Sequence, residues 1–200
     1  MDEVSMLIAG LQSDDPVRRA AASEALGRLR RADAVDALIL LLADAESTVR
    51  QAALNALRRI RDERASVHIL AMLNDEDIGI RRGASSWCMT LSGDQAHLVE
   101  TLVAMMLAEN SRMSTREFAA MLLGKYGDER AVEPLHQVIR QYPRLRLRAA
   151  QSLQRMADPR SIPLMRELLA DEDPRVQRTA AKTLAALEMG NSNVNDEEDN

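Results

Sequence analysis

Five arginines stand in one frame along the chain: Arg19, Arg50, Arg81, Arg116 and Arg146, with Gln177 in a sixth place. Successive positions lie 31, 31, 35, 30 and 31 residues apart. Such a column of guanidinium groups has two uses. It can offer planar, bidentate donors to the phosphates or carboxylates of a ligand, or it can pair with acids of the chain itself. An acid stands four residues before the first three, at Asp15, Glu46 and Asp77. On a helix this i,i+4 order, with the acid nearer the N-terminus, is the favourable one. The expected ladder is therefore structural and comprises Asp15–Arg19, Glu46–Arg50 and Asp77–Arg81. The next two arginines lose that acid, with Arg112 and Tyr142 in its place. Together with Arg140, Arg144 and Arg148 they form the expected basic patch.

The large, adaptable side chains cluster in the same frame. The chain has one Trp, one Phe and one Cys, and Trp87, Cys88 and Phe118 fall in adjacent repeats. Met105, Met106, Met113 and Met121 surround them, and residues 109–114 lengthen the spacing to 35. Methionine and aromatic residues suit binding surfaces. Offsets 1, 5, 8 and 9 from the anchor are expected to face outward, which puts Arg82 and Met89 on one exposed face and Glu117, Met121, Gly124 and Lys125 on the next. The expected partner contacts are Arg82, Trp87, Met89, Phe118, Met121 and Lys125, with Arg116, Arg144 and Arg148 as an electrostatic rim.

Catalytic constellations are not found in the sequence. Cys88 sits at an offset expected in the core, and a nucleophile needs access and an activating base. His68, His97 and His136 are scattered, and none is followed by Glu. Zinc spacing, a glycine-rich phosphate loop and a nucleophile motif are all missing. The expectation is a non-enzyme with no cofactor and no metal site.

Two helices per repeat must carry these residues. Offsets 3, 4, 7 and 10 are apolar or small, as at Ala22, Ser23, Leu26 and Leu29, and make one helical stripe. A second helix precedes each of these, over 3–12, 34–43, 65–73, 95–108, 131–140 and 161–170. Asp15-Pro16, Asp158-Pro159 and Asp173-Pro174 place a capping acid before proline at the first helical position. Gly93 and Gly127 suit helix ends, and Gly190 is expected to end the last helix. Residues 1–189 are expected to form one repeat domain, and the acidic, polar stretch 190–200 a disordered tail.

Composition agrees with an all-helical chain. Hydrophobic residues make up 46% and aromatics only 2%, so Ala, Leu, Met, Val and Ile must fill the core. Of the net charge of −5, four charges come from Asp196, Glu197, Glu198 and Asp199. The nearly neutral body does not support general nucleic-acid binding, which shows a basic excess. One cysteine excludes an intrachain disulfide and fits a reducing compartment. The first residues do not read as a signal or transit peptide, and no run reaches the roughly 18 apolar residues of a membrane span. A cytoplasmic location is expected.

The stretches DPVRRAAASEALGRL, STVRQAALNALRRI, IGIRRGASSWCMTL, STREFAAMLLGKY, RLRLRAAQSLQRM and DPRVQRTAAKTLAAL resemble short bacterial HEAT-like repeats of the phycobilisome-lyase type. The resemblance implies a right-handed α-solenoid of about six two-helix repeats. It implies a concave surface lined by the second helices and an Asp–Arg ladder tying neighbouring repeats together. On this reading the chain is a scaffold or adaptor that takes a protein partner in its concave groove. Two alternatives stand beside it: a subunit or chaperone of a bilin lyase or phycobiliprotein degradation system, and a nucleic-acid-binding solenoid. The second is poorly supported, because two Tyr, one Trp and one Phe offer little stacking surface. The oligomeric state stays open. The apolar outer faces of the first and last helices, with Met6, Leu7, Ile8, Leu184 and Leu187, would suit an end-to-end copy.

Overall fold

A computed structural model describes residues 2–91 and 96–198, with side chains to residue 188. Among these residues the fold is all-helical, built from paired helices of the repeat type. The chain divides into two compact units, Met1–Ser92 and Gly93–Asn200.

In the first unit the longer helix of each repeat is α2 (Pro16–Arg28), α4 (Ser47–Ile60) or α6 (Ile78–Thr90), and the shorter is α1 (Glu3–Gly10), α3 (Val35–Leu40) or α5 (Ser66–Ala71). The second unit holds α7 (Ala96–Leu107), α8 (Met113–Tyr126), α9 (Val132–Gln141), α10 (Arg146–Met156), α11 (Ile162–Leu168) and α12 (Pro174–Glu198). Several of the shorter helices are bracketed by single 3-10 turns, as Ala32–Ala34 and Leu41–Ala43 bracket α3. The tighter coil completes the span without a full α-helical bond set, as is common at helix ends.

Offsets 3 and 7 of the expected stripe form the core, whereas offset 10, at the end of the long helix, is only partly covered in the first five copies and Leu29 is 50% exposed. Ala22 and Leu26, Ala53 and Leu57, Ala84 and Cys88, Ala119 and Leu123, Ala149 and Leu153, and Ala180 and Leu184 are all buried. Small residues at offset 3 and larger ones at offset 7 recur each turn, so each long helix turns one side inward. Caps fix where the helices start. Asp15 accepts from the Val17 N–H at 2.9 Å with Pro16 at the first position, and Asp77 accepts from the Gly79 and Ile80 N–H groups.

The last helix differs from expectation. It continues past Gly190 to Glu198; one glycine costs about 1 kcal/mol against alanine and does not by itself end a helix. The side chains of the expected acidic tail, 190–200, lie outside the described residues. So do Gly93 and the start of the predicted 95–108 helix. Leu184 and Leu187 are buried rather than exposed, whereas Met6 is 56% exposed.

Candidate functional site

The arginine column is held, but not by the acids four residues before it. Arg19 Nε and Nη2 donate to the Asp44 carboxylate at 2.7 and 2.9 Å. Its Nη1 donates to the carbonyls of Ser13 and Asp14 at 2.9 and 3.1 Å. Arg50 repeats the arrangement one repeat on, with Asp75 at 2.9 and 3.1 Å and the carbonyls of Asp44 and Ala45 at 2.9 and 3.0 Å. Arg146 donates to Asp171 at 3.1 Å. The partner is thus the Asp 25 residues onward. Asp15 and Asp77 are spent on caps instead, and Glu46 occupies an N-cap without a side-chain bond. Each arginine joins the carbonyls left over at its own turn to a carboxylate of the next repeat. Asp44, Asp75 and Asp171 also accept the N–H two residues ahead. The bond from Arg19 holds the Asp44 carboxyl below its usual range, and the bond to Asp75 raises Arg50. Arg81 keeps the carbonyl half alone among the described residues, donating to Asp75 and Glu76 at 2.7 and 2.8 Å.

A second set of clamps was missed in the sequence. Arg64 donates to Asp62 in its own turn, to Asp36 at 3.0 Å and to the Ala32 carbonyl at 3.0 Å. Arg130 does the same with Asp128, Glu100 and the Ala96 carbonyl, and Arg160 with Asp158 and the Glu129 carbonyl. These bonds depress the carboxyls of Asp62, Asp128 and Asp158. The signal was present as DER, DER and DPR at 62–64, 128–130 and 158–160.

The expected partner contacts scatter in exposure. Arg82 and Lys125 are exposed, Met89 is 51% exposed, and Phe118, Met121 and Arg148 are half-buried. Arg144 is exposed. Two expectations are overturned. Arg116 is 4% exposed and is no rim residue. It donates to the carbonyls of Met106, Ala108, Glu109 and Ser111 and lies 4.4 Å over the Tyr142 ring. The lengthened loop brings unpaired carbonyls inward, and one guanidinium with five donors satisfies them. Gly124 is buried, not outward-facing.

The burial of Gly124 follows from close packing between repeats. A β-carbon on Gly27 would lie 2.6 Å from the Ala56 Cα, and one on Gly124 would lie 2.5 Å from the Ser152 Cα. Offset 8 of one repeat therefore meets offset 6 of the next. Between α4 and α6 these two places hold Arg58 and Trp87. A glycine–alanine contact is there replaced by two of the largest side chains.

That substitution leaves a groove of about 320 Å³ lined by Asn55, Arg58, Arg59, Arg61, Trp87 and Thr90. Arg58, Arg59 and Arg61 make no ion pair among the described residues, and the nearby acids Asp62 and Asp36 are bound to Arg64. The chain's one Trp forms part of the wall, itself 7% exposed. A larger cleft of about 650 Å³ in the second unit contains the expected basic patch residues Arg144, Arg146 and Arg148. It is balanced by Glu117, Asp171, Glu172 and Asp173. The local sequence around Arg144 shows no acid, because its neighbours in space come from the preceding and following repeats.

The histidines do not assemble. His136 is buried, with Nε2 3.1 Å from the Ser161 hydroxyl and Nδ1 3.6 Å from Glu133, and burial lowers its pKa. His68 and His97 are exposed. Cys88 is fully buried. Among the described residues no group of three His, Cys, Asp or Glu side chains gathers to hold a metal ion, and no helix is long and apolar enough to cross a membrane.

No curated protein sequence matches the chain. Among solved structures, an engineered protein from a structural-genomics consortium is 19% identical, with a TM-score of 0.55, covering 95% of this chain and 98% of that one. A designed armadillo repeat protein in complex with the peptide (KR)4 is 15% identical, with a TM-score of 0.57, covering 93% and 100%. A weaker match, with a TM-score of 0.46, is to the complex of CpcE and CpcF of phycocyanin lyase from Nostoc sp. PCC7120, at 25% identity and 94% and 77% coverage. The family described as PBS lyase HEAT-like repeat matches residues 115–141. The family described as HEAT repeats matches residues 4–90 and 140–197, and the chain belongs to that family.

Proposed function

We propose that this chain is a non-enzymatic scaffold that binds a protein partner across the outer face of its longer helices. One observation carries the reading. The repeat-to-repeat clamps occupy the arginines at the turns, while the guanidiniums of Arg58, Arg59 and Arg61 beside Trp87 make no ion pair among the described residues. Candidate contacts lie on the same class of helix within each unit: in the first, exposed Arg82 and Met89 on α6; in the second, exposed Lys125 with half-buried Phe118 and Met121 as a patch on α8. Arg144 and Arg148 flank it on α10 and its preceding turn. Trp87 contributes a groove wall. The designed armadillo relative was solved with a Lys–Arg peptide, which says of that protein that helical repeats can take up a short chain.

The test is capture followed by reconstitution. The wild-type chain is immobilised, its retained partner purified, and the complex sized by sedimentation. A stoichiometric complex that weakens when Arg82 and Met121 are both changed to Glu, with helicity unchanged, is the expected result. Failure to reconstitute any stoichiometric complex would refute the scaffold reading.

A further inference from the structure

Resting on that reading, we infer that the groove between α4 and α6 is the recognition site for an acidic linear segment of the partner protein. Its carboxylates pair with Arg58, Arg59 and Arg61, and an apolar side chain lies against Trp87.

Three features of the groove support this occupant. First, the wall is one-signed. Its six lining residues include three arginines and no acid, and Arg64 holds the two neighbouring aspartates. A guanidinium prefers a planar, bidentate acceptor, and a carboxylate is one. The helix end supports these cations: Arg58 and Arg59 lie in the last turn of α4, where the helix dipole favours positive charge.

Second, the turn that ends α4 fixes the third cation, Arg61. It closes α4 in the left-handed region at φ +62°, where the matching residue after α8 is Gly127 at φ +71°. A side chain in that region is strained relative to glycine. Ala157 holds the same place after α10 at φ +52°, so the conformation belongs to the repeat and what is particular to Arg61 is the cation it carries into the groove. Arg30 shares the position after α2 at φ +51°, but the pairing there is the close Gly27–Ala56 contact.

Third, the groove is short. At about 320 Å³ it accepts a few residues, not a duplex. Nucleic-acid binding needs phosphate contacts spread along a basic face, whereas the cleft around Arg144 carries as many acids as arginines. A short stretch with two or three carboxylates matches the charge present and the space.

The chain's one Trp makes the test direct. The probe is a fluorescein-labelled eight-residue peptide of Asp and Glu with one central Leu, titrated into the full chain by anisotropy while Trp87 emission is followed. A Lys peptide of the same length and an eight-nucleotide DNA are the controls. Saturable binding of the acidic peptide with a change in Trp87 emission is expected, weakening with salt. Changing Arg59 and Arg61 together to Ala should weaken binding by about tenfold or more. The variant Arg61→Gly separates binding from folding. It removes one cation and relieves the left-handed strain, so affinity should fall while the melting temperature holds or rises.

No binding of the acidic peptide, or equal binding by the DNA, overturns the groove assignment. So does affinity unaffected by Arg59→Ala/Arg61→Ala. If the captured partner still forms its complex in those cases, the scaffold reading stands and only the site is wrong. If no complex forms at all, the scaffold reading has failed on its own test.

Discussion

Helix α4 packs against a neighbour on either side, and the two contacts differ. Toward α2 the backbones nearly touch, with Gly27 giving way to Ala56. Toward α6 the corresponding positions are Arg58 and Trp87. A β-carbon on Gly83 of α6 would lie 3.0 Å from the Leu54 side chain and 3.7 Å from Arg58 Nη1. Both sides use the same backbone and the same spacing. One is a close-packed joint whose only chemistry is burial; the other is a wedge that exposes three cations and an aromatic edge. Repeat proteins add stability by nearest-neighbour contacts, so a single weakened joint can be tolerated where its neighbours are tight. Gly124 against Ser152 makes such a tight joint in the second unit.

The comparison breaks most readily at Trp87. Trp87→Ala removes a nearly buried indole and is expected to cost about 4 kcal/mol of unfolding free energy, read by urea denaturation. The double variant Arg58→Gly/Trp87→Ala recreates the glycine–alanine joint. It should be less destabilised than the sum of its two single variants, by about 0.5 kcal/mol or more. Strict additivity would mean that these two positions do not set the spacing of the joint.

The clamps come next. Arg50→Ala leaves Asp75, whose side chain is 5% exposed, without its cation, at an expected cost of about 3 kcal/mol. Arg81 binds carbonyls alone among the described residues, so Arg81→Ala should cost about 1 kcal/mol. Equal costs would show that the carboxylate half of the clamp contributes nothing. On the tight side, Gly27→Ala drives a β-carbon into the Ala56 backbone and should lose about 2 kcal/mol; a neutral result would mean that α2 and α4 separate freely.

The smallest effects concern pH. The Asp44, Asp62, Asp128 and Asp158 carboxyls are depressed in the folded state by Arg19, Arg64, Arg130 and Arg160. Their stabilisation is complete above the ordinary value of 3.8 and is lost as pH falls through the lower folded values. His136 acts in a different window. Burial favours its neutral form, so the unfolded chain takes up the proton first, and stability declines as pH drops below 6.5. His136→Gln should remove that shallow decline in the midpoint of urea unfolding between pH 7 and 5 and leave the acid limb near pH 4 in place.

Much of the fold was legible because repetition supplies its own control. Six copies of one frame show which offsets are always small or apolar, and of these offsets 3 and 7 are buried in every copy. The caps were legible for the same reason, since Asp-Pro and Asp-x-x turns act within a few residues. The clamps were only half legible. The arginine column stood out, but its partner lies 25 residues away, so local spacing named Asp15, Glu46 and Asp77 instead. Arg116 was misread as a surface cation because nothing in the sequence shows that the loop at 109–114 folds its carbonyls toward it. The groove was almost invisible. Trp87 stands out in the sequence as the one Trp, but its counterpart Arg58 lies in the preceding repeat, and only packing places both on one groove.

The sequence by itself determined the repeat, the two-helix unit and the inward stripe, because helical periodicity and capping are short-range. The tertiary structure alone decided which charges are spent and which remain. Ion pairs and grooves depend on distances between residues of different repeats. Arg50, buried and bound to Asp75, and Arg58, without an ion pair among the described residues and beside Trp87, differ in role though both lie on α4.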